Sequence, residues 1–250
     1  MSTLPSRLAD VLHRIDLACD QAGLARDRAQ LIAVSKTFPA EDVLRLLEAG
    51  QTHFGENYVQ EGLAKSLAVS ASLSDHAPRP IWHFIGPLQS NKTRDVAETF
   101  DWVHTIDRLK IAQRLAQQRP PGRPPLALCI QVNVSAEPSK SGVFAHELPA
   151  LALEVGQLAQ ACGRVTLRGL MAIPEPSSHV AKQREAFATL RTLKVEMHQA
   201  LLSRGIEEQC APMDVLSMGM SADLESAIAE SDPEGTTLLR VGSALFGERR

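Results

Sequence analysis

The stretch LIAVSKTFPAEDVLRLLEAG (31–50) decides the reading of the chain. Leu31–Ser35 is a short apolar run of strand length. Pro39–Ala49 then carries a helical pattern of apolar residues. Pro39 suits a first helical turn, where a missing N–H costs nothing. Glu41 and Asp42 place negative charge at that helix start, and Gly50 supplies the stop. One strand followed at once by one helix is the unit from which parallel sheets are built.

The unit repeats outward from this point. Further apolar runs occur at His53–Gly55, Ile81–Ile85, Trp102–Ile106, Leu126–Val134, Val165–Ile173, Val215–Met218 and Leu238–Phe246. Helical patterns separate them at Val59–Leu73, Lys92–Phe100, Arg108–Gln118, His146–Cys162, His179–Arg204 and Asp223–Ala229. Strands joined by helical crossovers are parallel, and eight of them close into a (β/α)8 barrel. An open doubly wound sheet could be written with the same string, but no G-x-G-x-x-G turn opens a helix. An additional helix, Ser6 to about Ala22 and ended by Gly23, precedes the first strand. It is expected to pack outside the barrel or cap its floor. The expectation is an α/β TIM barrel forming one domain over residues 1–250, with residues 1–24 as the N-terminal helical segment.

Composition narrows the function classes. The 250 residues are 44% hydrophobic and 22% charged, ordinary for a globular protein with a sizeable core. A net charge of −3 without any Lys/Arg block gives no nucleic-acid footprint. No stretch has the length of a membrane span, and the charged N-terminus is unlike a signal peptide. Cys19, Cys129, Cys162 and Cys210 are far apart and read as reduced buried thiols. A cytoplasmic location is expected. HAPRP (76–80) and RPPGRPP (119–125) read as loops, the charges of 179–204 as a solvated helix face, and the terminal GERR as a solvated tail.

In such barrels, binding groups come from the C-terminal ends of strands and the loops after them. That rule selects Lys36, Glu56, Asn57, His83, Gly86, Asp107, Asn133, Met171, Ser217, Arg240 and Gly242. Lys36 shares a strand face with Ile32 and Val34, and a desolvated amine there is an available nucleophile. Ser217-Met-Gly-Met-Ser221 precedes a helix and offers N–H groups and hydroxyls suited to a phosphate. Arg240, Gly242 and Ser243 close the last strand. The last two clusters follow strands seven and eight, the usual phosphate position in this fold. Together with Lys36 they point to a phosphorylated aldehyde cofactor.

The motifs AVSKTFP, HFGENYVQE, WHFIGPLQSNK, NVSAEPSKSG, LSMGMSADLESAI and RVGSALFG occur in this order. With them the chain resembles the YggS/PROSC family of pyridoxal 5′-phosphate (PLP) homeostasis proteins, lone barrels similar to the barrel domain of alanine racemase (fold type III). The resemblance implies a Schiff base on Lys36 and phosphate binding by Ser217, Gly242 and Ser243. It also implies Arg240 facing the pyridine nitrogen, and Asn57 and His83 lining the pocket. An arginine can only donate a hydrogen bond, so it favours an unprotonated and weaker electron sink. Fold-type III racemases add a tyrosine base from a second domain, whereas Tyr58 reads as a packing residue.

The expected role is therefore to carry or buffer PLP, as a monomer, for PLP-requiring apo-enzymes, without efficient catalysis. An amino-acid racemase or lyase on the same lysine is the alternative. A phosphate-sugar isomerase would use the rim but would not need Lys36. A metal site at His53, His83 and His104 lacks H-x-H or H-E-x-x-H spacing, and no metal is expected.

Overall fold

The computed structural model describes all residues except 1, 2, 75, 136, 138, 139 and 248–250. Part of the NVSAEPSKSG motif and most of the GERR tail lie outside the described residues. Helix α1 (Leu4–Ala22) comes first, capped by the Thr3 hydroxyl, which accepts from the Ser6 N–H, and ended by Gly23 at φ 64°. Eight strand–helix units follow. They are β1 (Ala29–Val34) and α2 (Ala40–Glu48), β2 (His53–Glu56) and α3 (Val59–Ser72), β3 (Ile81–Phe84) and α4 (Thr93–Thr99), and β4 (Trp102–Ile106) and α5 (Leu109–Gln118). The second half adds β5 (Leu126–Gln131) and α6 (Leu148–Cys162), β6 (Val165–Met171) and α7 (Val180–Ser203), β7 (Val215–Ser217) and α8 (Leu224–Ala229), and β8 (Thr236–Val241) and α9 (Ser243–Phe246).

All eight strands are parallel, and β8 pairs with β1 to close the barrel. Two apolar layers result. The larger lies between strands and helices, where alternate strand residues such as Leu31, Ala33, Phe54 and Phe84 meet helix faces. The smaller fills the lumen with Ile32, Cys129, Met171, Val215 and Leu238. Helix α1 lies outside, on α2, α8 and α9, with Leu8, Val11, Ile15, Ala18 and Cys19 buried along one stripe.

Several expectations need correction. The eighth strand stops at Val241 rather than continuing to Phe246, because the backbone leaves the extended region at Gly242 and winds into α9. The fifth strand ends at Gln131. Val132 instead bridges to Val143 across the turn that Gly142 (φ 110°) permits. Cys162 is exposed and Cys210 half-buried, so two of the four free thiols are not core residues. The charges of α7 are not all solvated. Lys194 is buried against Asp232, and Arg184 and Arg191 pair with the poorly exposed Glu230.

Candidate functional site

The strand C-terminal ends open into a cavity of about 520 Å³ lined by Val34, Lys36, Phe38, Asn57, Ile85, Ile173, Met220–Ala222, Arg240, Gly242, Ser243 and Gly247. It has the size and mixed lining of a small-molecule site. Five of the seven residues singled out from sequence, Lys36, Asn57, Arg240, Gly242 and Ser243, meet here. His83 and Ser217 do not line it; both are fully buried in the lumen below. Met220 and Ser221, from the small-residue cluster after the seventh strand, also line it, as do Phe38 and Ile173, which the sequence reading did not single out. Ser221 lay inside the small-residue cluster and was legible as such, whereas nothing local marks Phe38 or Ile173.

Lys36 follows β1 in a tight turn. Thr37, directly after it, adopts φ 68°, a strained conformation for a β-branched residue. A network anchored on the buried Lys65 and Glu56 holds that turn. The Thr37 N–H donates to Glu61 Oε1, and Lys65 Nζ donates to Glu61 Oε1, Glu56 Oε1 and the Ser35 carbonyl. Ser35 Oγ donates to the same Glu56 oxygen at 2.6 Å. Burial pushes the Glu56 carboxyl up, and the Lys65 charge and hydrogen bonds oppose the shift.

Asn57 follows β2 over Gly86, where an added Cβ would lie 2.0 Å from the Asn57 carbonyl oxygen. Only glycine permits that approach. Asn57 lines the cavity, and its buried Oδ1 has no hydrogen-bond partner among the described residues. Across β7 and β8, Ser221 Oγ accepts from the Ala244 N–H at 3.3 Å and joins the two loops. The Gly219 turn (φ 83°) packs against Ala227 and Leu239.

Arg240 is 4% exposed. Its Nη2 donates to the Ala172 carbonyl at 2.9 Å and its Nη1 to Ser217 Oγ at 2.6 Å. Burial lowers its pKa to about 10, with Asp223 opposing, so the guanidinium remains charged at neutral pH. Below it, His104 Nδ1 lies 2.7 Å from Ser217 Oγ, His83 Nδ1 2.9 Å from His104 Nε2, and His53 Nδ1 2.9 Å from His83 Nε2. The three histidines meet as a hydrogen-bonded file. Among the described residues no group of His, Cys, Asp and Glu has metal-site geometry.

Taken together the wall offers an amine, a buried guanidinium, a side-chain amide and two joined serine-containing loops. These fit an aldehyde bearing an anionic group and ring heteroatoms. Residues 7–250 match the model of the alanine racemase N-terminal domain. Pyridoxal phosphate homeostasis protein of Pseudomonas aeruginosa is 51% identical over all of this chain and 97% of its own length. That of Escherichia coli K12 is 45% identical, over 100% and 98%. Among solved structures, PipY of Synechococcus elongatus with PLP bound superposes with a TM-score of 0.77 at 36% identity, covering 98% of this chain and all of PipY. Alanine racemase from Corynebacterium glutamicum (TM-score 0.61, 15% identity, 96% of this chain and 62% of that one) shares the fold. The chain belongs to the alanine racemase N-terminal domain family, and within it to the pyridoxal phosphate homeostasis proteins.

Proposed function

We propose that the chain binds PLP at the barrel rim, holds it covalently on Lys36 Nζ and acts in PLP homeostasis as a carrier or buffer. The observation that carries this reading is the meeting of Lys36 and the buried Arg240 on one cavity of suitable size. When bound, the cofactor supplies an electrophilic carbonyl and an electron-withdrawing ring. The chain's residues do the rest. The Lys36 amine attacks the aldehyde carbon and one water leaves. Arg240, a permanent donor, faces the ring nitrogen and keeps a proton off it. The Ser221, Gly242 and Ser243 loops receive the phosphate, and Asn57 Oδ1 gains a partner. Met220 and Ile173 shield the ring.

This wall binds and orients, and among the described residues that line it Lys36 is the one amine for moving a proton. Tyr58, the sole tyrosine, stands 55% exposed and away from the cavity lining. These features support storage and delivery to apo-enzymes over rapid turnover. We further propose one domain over residues 1–250, acting as a cytoplasmic monomer. Among the described residues no helix is long and apolar enough to cross a membrane.

The test is the visible absorption of the purified protein with PLP, before and after borohydride, with mass mapping of the trapped peptide. A band that borohydride abolishes, with a pyridoxyl mass on Lys36, is the expected result. Lys36→Ala should lose the band and keep the fold. No band after incubation with PLP would overturn the reading, and rapid turnover of an amino acid would replace carrier with racemase or lyase.

A further inference from the structure

The file of buried rings beneath the pocket follows from barrel stagger. Gly55 pairs with His83, so His53 on β2 sits one inward-facing layer lower; His83 pairs with Trp102, so His104 on β4 sits one layer higher. On the far side Ser217 pairs with Leu238, which places Arg240 one layer above Ser217. The file therefore climbs from the partly buried His53, at the start of β2, through the lumen to Arg240 at the pocket.

Hydrogen-bond chemistry fixes its direction. A guanidinium has donors and no acceptor, so Arg240 Nη1 must donate to Ser217 Oγ. The only other partner of Ser217 Oγ among the described residues is His104 Nδ1. Ser217 is fully buried, and leaving its proton unpaired there is costly. Its hydroxyl therefore donates to His104 Nδ1, and the His104 proton must sit on Nε2. His104 Nε2 then donates to His83 Nδ1, and His83 Nε2 donates to His53 Nδ1. One fixed donor sets three tautomers in a row.

We propose that His53, His83, His104 and Ser217 form a one-way hydrogen-bond relay, polarised by Arg240, in which His104 and Ser217 are positioning residues that hold the guanidinium at the pocket. The relay works only with neutral rings. Burial holds His83 and His104 well below the ordinary imidazole range, and Arg240 adds to this for His104. The other ionisable groups packed near the relay are Cys129 on β5, Arg168 on β6 with its partner Asp214, and Asp223 before α8. Burial pushes the Cys129 thiol up to about 12, the Arg168–Asp214 pair is internally satisfied, and Asp223, the carboxylate whose charge acts on Arg240, accepts from the Met220 N–H at 2.6 Å.

The relay rests on the Arg240 geometry alone; only its effect on the cofactor rests on the PLP reading. Nitrogen-15 NMR of the full chain without added PLP, at pH 7.5, reads the tautomers directly. The expected result is three neutral rings all protonated on Nε2. A proton on Nδ1 of any of them, or an imidazolium, would overturn the relay whether or not PLP binds. His104→Phe keeps the ring volume and removes both nitrogens, and Ser217→Ala is the milder variant should that one fail to fold. Each should weaken PLP binding about tenfold and shift the visible band, as loss of a hydrogen bond to a charged group does. Ser217→Ala should also change the His104 tautomer signal, with Ser217→Thr restoring both. Weakened binding with an unchanged His104 signal would make the effect Ser217's own and overturn the relay. Unchanged binding in both variants would overturn the positioning role.

Discussion

A buried polar group is only as secure as its partners, and two buried networks lie beside this site. The Lys65–Glu56 pair is 4% and 0% exposed, with Ser35 Oγ as a third member. Lys65→Met would strand the Glu56 carboxylate and should cost about 3 kcal/mol, because breaking a buried pair leaves an uncompensated charge. Urea unfolding measures it. Glu56→Leu in the same chain should recover much of the loss, and a double variant as unstable as the single would show that the network is not an ion-pair effect. The second group is the histidine file. Burial lowers all three pKa values from 6.5, so below that pH the unfolded chain takes up protons that the folded one refuses. Stability from these rings is therefore full above about pH 6.5 and falls as the pH drops, by up to about 4 kcal/mol per pH unit for three protons. Partly buried His53 protonates first and ends the loss for its own share. Unfolding midpoints at pH 7.5 and 5.5 should differ clearly, and should differ less in His104→Phe. Equal slopes in the two would mean that other groups dominate.

At the scale of elements, the pocket is a product of turns that glycine allows. Gly219, at φ 83°, has no room for a side chain. A Cβ would lie 2.6 Å from Ala227 Cβ and 2.9 Å from Leu239 Cδ2, and the Gly219 carbonyl accepts from the Arg240 N–H. Gly219→Ala should destabilise by about 1–3 kcal/mol through overpacking and backbone strain, and should weaken PLP binding as Met220 and Ser221 shift. Calorimetry and a PLP titration check both halves, and unchanged binding would mean that the Met220–Ala222 wall tolerates movement. The eight strands were legible because each is a short apolar run bounded by a helical pattern, Lys36 because it directly follows the first run, and Arg240 because a charge stands out within the last. Periodicity could not show that the last run breaks at Gly242, since Ala244, Leu245 and Phe246 are as apolar as the strand before them. Nor could it reveal Lys65 and Glu56, nine residues apart on different elements, or the burial of Lys194. Those pairs exist only once α3 packs on β2 and α7 meets the α8–β8 turn. The file of His53, His83 and His104 needed the barrel stagger, which is a register and not a composition.

On the scale of the whole molecule, α1 bears on how firmly the pocket is walled. It packs on α8 and α9, the helices that follow the Met220–Ala222 wall and Gly242, and so braces that side of the barrel from outside. Two kinds of contact could do this. Arg14 bonds Glu225 and the Ser221 carbonyl, but the ion pair is 37% and 49% exposed and is worth under about 1 kcal/mol. Ile15, by contrast, is fully buried at the centre of the α1 stripe, and a truncation there leaves a cavity worth about 2–5 kcal/mol. Ile15→Ala should therefore destabilise severalfold more than Arg14→Ala in urea titrations. The pocket separates the two further. Loss of Arg14 frees the Ser221 carbonyl and should weaken PLP binding with little change in stability. Ile15→Ala loosens packing without touching the wall, so bound PLP should restore much of its unfolding midpoint by mass action. If Ile15→Ala instead abolishes PLP binding while remaining folded, α1 shapes the pocket itself and is not merely a brace behind it.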